Sequence, residues 1–448
     1  MNIPQKYKGK YFYHFTHIDN IPSIVAHNGL FSTNQKKAFG IEHHNVALMD
    51  IQNRRSEMKV PVGPGGVVHD YVPFYFASTN IMLLSLLNRK IVDQPYIVFM
   101  AVSIEKLLEE KVIFTDASAN TSILPNFYND PDDLDKLNWE LIDSTKWGTK
   151  SDAERHARMA EVLIYEYVPL NWINTYIVFN RIGKDKIEDC YRKSGLEKPN
   201  ISYDWFNNRS YFFTKFFFSD RKNETLVTGP IQLKMKYTAT VDSISSKRKL
   251  LNESKCIFKN LSDAISKIDN NFCIVPELAG IYKLETDNQV HHESVSDHTI
   301  AVVNNLPESQ YYSFLDEREK GIVKLAAYFH DIGKGPKEKW SGGIQRVYPD
   351  HPADALPMLE RILSEDFEKI KYDAYKDICL LVAYHDLLGG ILDKENRRSI
   401  EELNRLALSD KELYMLATLS EADIRAIGGF FAIDIQSKIC NLVNQIMR

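Results

Sequence analysis

The hydrophobic pattern changes type along the chain, and no single fold accommodates both patterns. Residues 1–215 contain short apolar runs rich in aromatic and β-branched residues, and those at 71–76, 96–100 and 176–179 predict buried strands. Helical spacing also occurs there at 21–27, 81–87 and 152–165. From about residue 285 onward, apolar residues recur near i, i+3, i+4 and i+7, which predicts helices only. We therefore expect an α+β domain over 1–215 and an all-α domain over 285–448.

Length and composition agree with several soluble domains. The 448 residues exceed what one hydrophobic core usually organises, and 44% hydrophobic with 26% charged residues excludes a disordered or fibrous chain. No apolar run approaches the roughly 18 residues of a membrane span, and residues 1–10 show no signal peptide. The five cysteines are scattered and form no C-x-x-C, which is typical of reduced thiols. We expect a cytoplasmic protein without a membrane partner.

The net charge of −5 hides a local excess of positive charge. Residues 215–260 contain ten Lys or Arg against four acidic residues, and we interpret 216–284 as a basic linker region with some structure of its own. A solvated helix face is the favoured interpretation of these cations. A surface that follows nucleic acid is the alternative, because phosphate binding depends on clustered cations more than on net charge.

Histidine and aspartate recur in a fixed order through the helical half. The ordered set is His298, His330-Asp331, His351, His385 and Asp423. Imidazole and carboxylate bind Mn, Fe, Mg or Zn where no thiolate is offered. The pair His330-Asp331 ends an amphipathic helix, so its two side chains can converge on one ion, and Lys334 just beyond would lie near a substrate phosphate.

This ordered set resembles that of the HD phosphohydrolase superfamily, over about 295–425. The resemblance implies an HD fold, a primary divalent metal at His298, His330, Asp331 and Asp423, and a second ion at His351 and His385. It also implies hydrolysis of a phosphoester by a metal-activated water. His291 and His292 do not fit the order, and we take them as loop residues.

The first half contains neither a Rossmann nor a P-loop glycine motif. Its distinctive segments are a strand–turn–helix pattern over 11–30, an arginine pair at Arg54-Arg55 followed by a glycine-rich turn and the run 69–76, and Glu161 opening an apolar run after Arg158. A glutamate that opens an apolar run is partly desolvated, so its electrostatic interactions are stronger than in water. His69 is expected to be structural and to hold the turn.

These segments resemble the DarT family of DNA ADP-ribosyltransferase toxins, over roughly 10–215. The resemblance implies an ADP-ribosyltransferase-type fold and transfer of ADP-ribose from NAD to a base in single-stranded DNA, with thymine favoured over guanine. It implies a toxin or anti-phage role, with an antitoxin or a DNA ADP-ribosyl glycohydrolase as a possible partner.

Site residues follow from the same resemblance. It implies NAD contacts by His14, Phe15, Thr16, Ser23 and Arg55, and catalysis by Arg55 and Glu161, although the register between Arg54 and Arg55 stays open. Residues 116–161 would form a substrate-reading loop whose aromatic side chains stack on an unpaired base. The side chains that this loop offers are Asn126, Tyr128, Trp139 and Trp147.

The domain pair leaves two other interpretations open. The metal domain is the principal enzyme in one of them, and the first half then binds NAD as a sensor without transferring it. In the other, both halves are scaffolds for partner binding, which two intact ligand sets make the weakest of the three.

Overall fold

The chain folds into two compact units, Met1–Leu226 and Val227–Arg448. The computed structural model describes residues 2–43, 49–119, 124–214, 228–250, 256–287, 293–346, 348–393, 398–428 and 432–447. Sheet and helices make up the first unit, and the second is largely helical. The predicted change of fold class along the chain is confirmed at this level.

An eight-stranded sheet organises the first unit. The sheet has the order β10-β9-β4-β1-β3-β7-β5-β6, with only β9 and β10 parallel, while β2 pairs with β8 in a separate ribbon. The strands are β1 (Tyr11–His17), β2 (Gly29–Phe31), β3 (Tyr71–Tyr75), β4 (Ile97–Ser103), β5 (Val112–Thr115), β6 (Phe127–Tyr128), β7 (Glu161–Tyr165), β8 (Tyr167–Pro169), β9 (Ile173–Val178) and β10 (Ile201–Tyr203). The three strands predicted from apolar runs are β3, β4 and β9.

Seven helices accompany the sheet within the described part of the first unit. They are α1 (Ile21–Ala26), α2 (Thr33–Ala38), α3 (Met49–Glu57), α4 (Ile81–Asn88), α5 (Trp139–Ile142), α6 (Asp152–Arg158) and α7 (Arg181–Lys193). The helices predicted at 21–27 and 81–87 are confirmed by α1 and α4. The helix predicted over 152–165 is wrong beyond Arg158, because the β-branched Val162 and Ile164 favour the strand that follows.

Strands β1 and β3 separate at the middle of the sheet. Their only register pair is Tyr13 with Tyr75, whereas β1 pairs with β4 along its whole length. Pro73 lies inside β3 and has no N–H to donate to a neighbour. Its carbonyl oxygen accepts a hydrogen bond from His14 Nδ1 at 2.7 Å instead. A side-chain hydrogen bond thus takes the place of a backbone hydrogen bond at the point where β1 and β3 separate.

The second unit is built from eleven helices within its described residues. They are α8 (Pro230–Arg248), α9 (Leu261–Asn270), α10 (Pro276–Ile281), α11 (Val295–Asn305), α12 (Glu317–Phe329), α13 (His351–Arg361), α14 (Tyr372–Tyr384), α15 (Leu387–Leu392), α16 (Ile400–Asn404), α17 (Asp410–Ile427) and α18 (Ile435–Ile446). Two short strands, β11 (Glu285–Thr286) and β12 (Ile344–Gln345), pair in parallel. One continuous hydrophobic core joins the helices.

Much of the segment expected to be a basic linker region, 216–284, belongs to this core. Helices α8, α9 and α10 bury apolar side chains such as Leu233, Ile268 and Leu278 in it. Arg248 donates to the backbone carbonyls of Leu363, Phe367 and Glu368. A cation used in this way is part of the helical unit and does not belong to a solvated helix face. Residues 215–227 and 251–255 of the basic stretch lie outside the described residues, as do His291 and His292.

No helix within the described ranges combines the length and apolarity that crossing a bilayer requires.

Candidate functional site

A buried ion pair joins Arg55 to Glu161 in the first unit. The Arg55 nitrogens Nη1 and Nη2 donate to Glu161 Oε1 and Oε2, each at 3.0 Å. Oε1 also accepts hydrogen bonds from the Ser118 hydroxyl at 3.2 Å and the Ala119 N–H at 2.9 Å. The Glu161 side chain is fully buried. Its charge is therefore balanced by four donors and an opposite charge, which burial requires.

The fold explains how these two residues meet. Glu161 is the first residue of β7, directly opposite Tyr75 at the end of β3. Arg55 lies in the last turn of α3 and points inward, whereas the neighbouring Arg54 is exposed. The structure thus brings Arg55, and not Arg54, to the predicted catalytic glutamate.

A cavity of about 190 Å³ adjoins this pair. The five residues that the sequence predicts to contact NAD all line it, namely His14, Phe15, Thr16, Ser23 and Arg55. Glu161 stands behind Arg55 and is not a lining residue. The cavity is smaller than the roughly 300–1,000 Å³ of typical ligand pockets, so as bounded here it suits a nucleoside-sized part of a dinucleotide.

Electrostatics fix the state of two lining side chains. Burial lowers the pKa of His14 to about 4, so the ring is neutral near pH 7. Because Nδ1 donates to the Pro73 carbonyl, Nε2 carries the lone pair and acts as an acceptor. Burial also lowers the pKa of Lys36 to about 8, with no charged partner among the described residues to offset it.

Sequence reasoning missed Lys36 and Tyr75, which also line the cavity. Burial and the nearby Glu161 raise the pKa of Tyr75, and its ring stacks on Phe15 at 6.1 Å between centroids. Tyr75 is part of the run 69–76, so strand alternation through that run offered a signal for it. Lys36 lies in a short polar helix whose sequence carries no such signal.

The residues predicted to read a base are not brought to this cavity. None of Asn126, Tyr128, Trp139 and Trp147 lines it among the described residues. Trp139 stacks on Tyr7 at 4.9 Å and donates to the Leu134 carbonyl. Tyr128 stacks on Phe114 at 5.4 Å. These two aromatic rings pack within the first unit itself.

The second unit gathers all six predicted metal ligands into two adjoining triads. His298, His330 and Asp423 form one, and Asp331, His351 and His385 form the other. Within each triad the ligand atoms all lie within 4.8 Å of one another. These residues lie on or next to five helices, α11, α12, α13, α14 and α17. Residues that are far apart in sequence are therefore close together in the helical core.

Three of the histidines are oriented in the same way. Their Nδ1 atoms donate to the carbonyl three residues earlier, in His330 to Ala327 at 2.7 Å, in His351 to Tyr348 at 2.7 Å and in His385 to Val382 at 2.9 Å. Each Nε2 is then an acceptor, as in metal-binding histidines.

Unsatisfied acceptors face one another in this cluster. The Nε2 atoms of His351 and His385 lie 3.1 Å apart, where two lone pairs repel unless a cation or proton lies between them. His330 Nε2 and Asp331 Oδ1 are buried and have no hydrogen-bond partner among the described residues. The donor set therefore fits a divalent cation.

A positive charge lies next to a buried carboxylate in this cluster. Burial opposes ionisation of Asp331, but the positive charge of Lys334 favours the carboxylate and helps to hold its pKa well below the usual range. Lys334 Nζ lies 2.6 Å from Asp331 Oδ2. Lys334 is expected from the sequence to lie near a substrate phosphate, but in the structure it forms an ion pair with Asp331, one of the predicted metal ligands.

Comparison with known proteins identifies the first unit. The family model described as "ssDNA thymidine ADP-ribosyltransferase, DarT" matches residues 13–232, and this assigns the unit an ADP-ribosyltransferase-type α/β fold. A DNA ADP-ribosyl transferase of Thermus sp. (strain 2.9) is 30% identical over 203 residues, which cover 43% of this chain and 94% of that protein. The chain belongs to the DarT family.

Two further similarities are more limited. The solved structure of Thermus sp. 2.9 DarT in complex with ADP-ribosylated ssDNA is 27% identical and has a TM-score of 0.41, covering 45% of this chain and 96% of that one. A bifunctional uridylyltransferase/uridylyl-removing enzyme of Cereibacter sphaeroides is 26% identical over 170 residues, which cover 34% of this chain but only 17% of that enzyme.

Proposed function

We propose that the first unit transfers ADP-ribose from NAD to a base, thymine above all, in single-stranded DNA. Membership of the DarT family supports this reaction class. The observation that carries the proposal is the Arg55–Glu161 pair beside a cavity that His14, Phe15, Thr16 and Ser23 line.

The cavity offers polar groups suited to parts of a dinucleotide. His14 Nε2 accepts a hydrogen bond from a ribose hydroxyl or the carboxamide, because its Nδ1 is already committed to Pro73. Thr16 is held by Asn20, whose amide donates to its hydroxyl at 2.9 Å. Lys36 offers its positive charge to the diphosphate.

The chemistry exchanges one glycosidic bond for another. The bond between nicotinamide and ribose C1′ breaks, a base nitrogen forms the new bond to C1′, and that nitrogen loses its proton. Glu161 stabilises the positive ribose or accepts the proton, while Arg55 holds the carboxylate in place and contacts the dinucleotide.

The direct test incubates the protein with NAD and short single-stranded oligonucleotides and reads their mass. We expect one ADP-ribose per modified thymine and release of nicotinamide. Glu161→Gln should lower nicotinamide release about 100-fold or more. Arg54→Gln is the matched control and should leave it within about twofold, because Arg54 is exposed. A protein that binds NAD but releases no nicotinamide would instead be the sensor of the alternative interpretation.

We also infer that the second unit is an HD-type metal-dependent phosphohydrolase. The two adjoining triads and the unpartnered His330 Nε2 support this. His298, His330, Asp331 and Asp423 would hold one divalent ion, and Asp331, His351 and His385 a second. Such ions lower the pKa of bound water and neutralise phosphate charge.

Measuring bound metal distinguishes a metal site from a histidine cluster that only supports the fold. Mn²⁺ should raise the melting temperature of the full-length protein, and elemental analysis should find one or two ions per chain. His330→Ala with Asp331→Ala should abolish both while NAD-dependent labelling of DNA persists. A protein that binds no Mn²⁺, Fe²⁺, Mg²⁺ or Zn²⁺ would contradict it.

A toxin or anti-phage role follows from the proposed reaction, since modified bases obstruct replication. The partner would then be an antitoxin or a DNA ADP-ribosyl glycohydrolase, and the site of action the cytoplasm. Expression in bacteria should arrest growth, and Glu161→Gln should relieve the arrest.

A further inference from the structure

His69 lines the cavity, yet neither of its ring nitrogens has a hydrogen-bond partner among the described residues. The side chain is only 5% exposed. Leaving a buried polar group unsatisfied lowers the stability of the folded protein, and most buried polar side-chain atoms in proteins are paired.

The turn that contains His69 is held by its neighbours. Asp70 Oδ2 accepts from the Val67 N–H at 2.8 Å, and Asp70 Oδ1 accepts from the Asn34 amide at 2.7 Å. The Tyr71 hydroxyl donates to the Gly65 carbonyl at 2.7 Å. The structural role expected of His69 is therefore performed by Asp70 and Tyr71, and its own ring nitrogens stabilise nothing in the described chain.

The surroundings of His69 select a neutral partner. Burial and the positive charges of Arg55, Lys37 and Lys36, against the opposing Asp70, together lower the pKa of His69 to about 4. The ring is thus neutral near pH 7, with one N–H donor and one acceptor. A neutral imidazole among cations is not a counter-ion for phosphate. It suits a group that both donates and accepts.

We propose that His69 is a binding residue for the dinucleotide, exchanging hydrogen bonds with a neutral donor–acceptor group, either a ribose hydroxyl or the carboxamide. The proposal rests on the proposed NAD-dependent function of this unit. The unsatisfied nitrogens of His69 are then retained for the ligand at the expense of protein stability, a trade-off common at binding sites.

The test compares two substitutions in the full-length protein. His69→Leu removes both nitrogens at similar volume, and His69→Gln keeps a donor and an acceptor. Without NAD, we expect the melting temperature of His69→Leu to equal or exceed that of the wild type. Its affinity for NAD should fall about tenfold or more, while His69→Gln should recover part of that loss.

His17→Leu is the matched control. His17 is equally buried but lies outside the cavity, and its Nδ1 accepts from the Asp19 N–H at 3.2 Å. This substitution should lower the melting temperature and leave NAD affinity unchanged.

Two ligands distinguish the possible groups. Equal losses of affinity for NAD and ADP-ribose in His69→Leu indicate a ribose hydroxyl, and a loss for NAD alone indicates the carboxamide. A His69→Leu variant that folds and binds NAD like the wild type would overturn the proposal. A destabilised His69→Leu would also overturn it, because the ring nitrogens would then stabilise the protein without ligand. If wild-type protein shows no NAD-induced shift in melting temperature, the proposed function fails first and this inference fails with it.

Discussion

At the scale of single residues, burial makes Arg55 and Glu161 one electrostatic unit. Each neutralises the other where both side chains are almost fully buried, and the additional donors Ser118 and Ala119 complete the hydrogen bonding of the carboxylate. Removing one side chain of such a pair destabilises the protein more than removing both, because a single buried charge is left uncompensated.

We therefore expect Glu161→Gln to lower the free energy of unfolding by about 3–5 kcal/mol, since Arg55 stays charged and buried. Adding Arg55→Met should recover much of this loss without restoring transfer. Chemical denaturation of the two single variants and the double variant measures the coupling. Additive losses would show that the two side chains do not interact.

Lys36 makes NAD affinity depend on pH. Its amine has a pKa of about 8 without ligand, and a diphosphate binds the protonated form. Affinity should therefore be highest below pH 8 and fall as the pH rises above it. His14 and His69, with pKa values of about 4, and Tyr71, at about 12, do not titrate in that range. Calorimetric titration of Lys36→Met should show weaker binding with a flat profile between pH 7 and 9, and a profile as steep as the wild type's would exclude Lys36.

At the scale of elements, close backbone contact holds the second site together. A 3-10 turn, Ile332–Lys334, follows α12 and packs against the start of α13. A Cβ at Gly333 would lie 1.9 Å from the His351 carbonyl oxygen and 2.8 Å from the Ala355 nitrogen. Glycine is required there because the turn that carries Asp331 touches the helix that begins at His351.

Gly333→Ala should therefore lower the free energy of unfolding of the second unit by about 1–3 kcal/mol and reduce the Mn²⁺-induced shift in its melting temperature. The matched control is Gly321→Ala in α12, where the nearest contact is the flexible end of Leu261 at 3.1 Å. That change should be neutral or slightly stabilising, since alanine favours helix. Equal stability of the two variants would contradict the packing argument.

At the scale of the whole molecule, each unit has its own hydrophobic core and its own candidate ligand. A ligand that binds only the folded form stabilises by about 2.7 kcal/mol at one hundred times its dissociation constant. Scanning calorimetry of the full chain should then show NAD raising one transition and Mn²⁺ raising another. A single transition shifted alike by both would show that the units unfold together.

The sequence by itself determined the properties that depend on local spacing. Apolar runs and helical periodicity predicted the two classes of fold, and ordered histidines and aspartates predicted the residues that the helices gather. The helix predicted over 152–165 is wrong in its second part, because the helical spacing gives way to an apolar, β-branched run after Arg158. Pairing of that run with β3 and β5 makes it a strand.

Only the tertiary structure decided which side chains share a site and in what state. It selected Arg55 over Arg54, added Lys36 and Tyr75 to the cavity, packed Trp139 within the first unit and left the nitrogens of His69 without partners. It also directed Arg248 of the basic stretch into the helical unit. The physical reason is that spacing along the chain fixes which face a residue occupies, whereas burial, charge pairing and hydrogen bonding depend on groups that are distant in sequence.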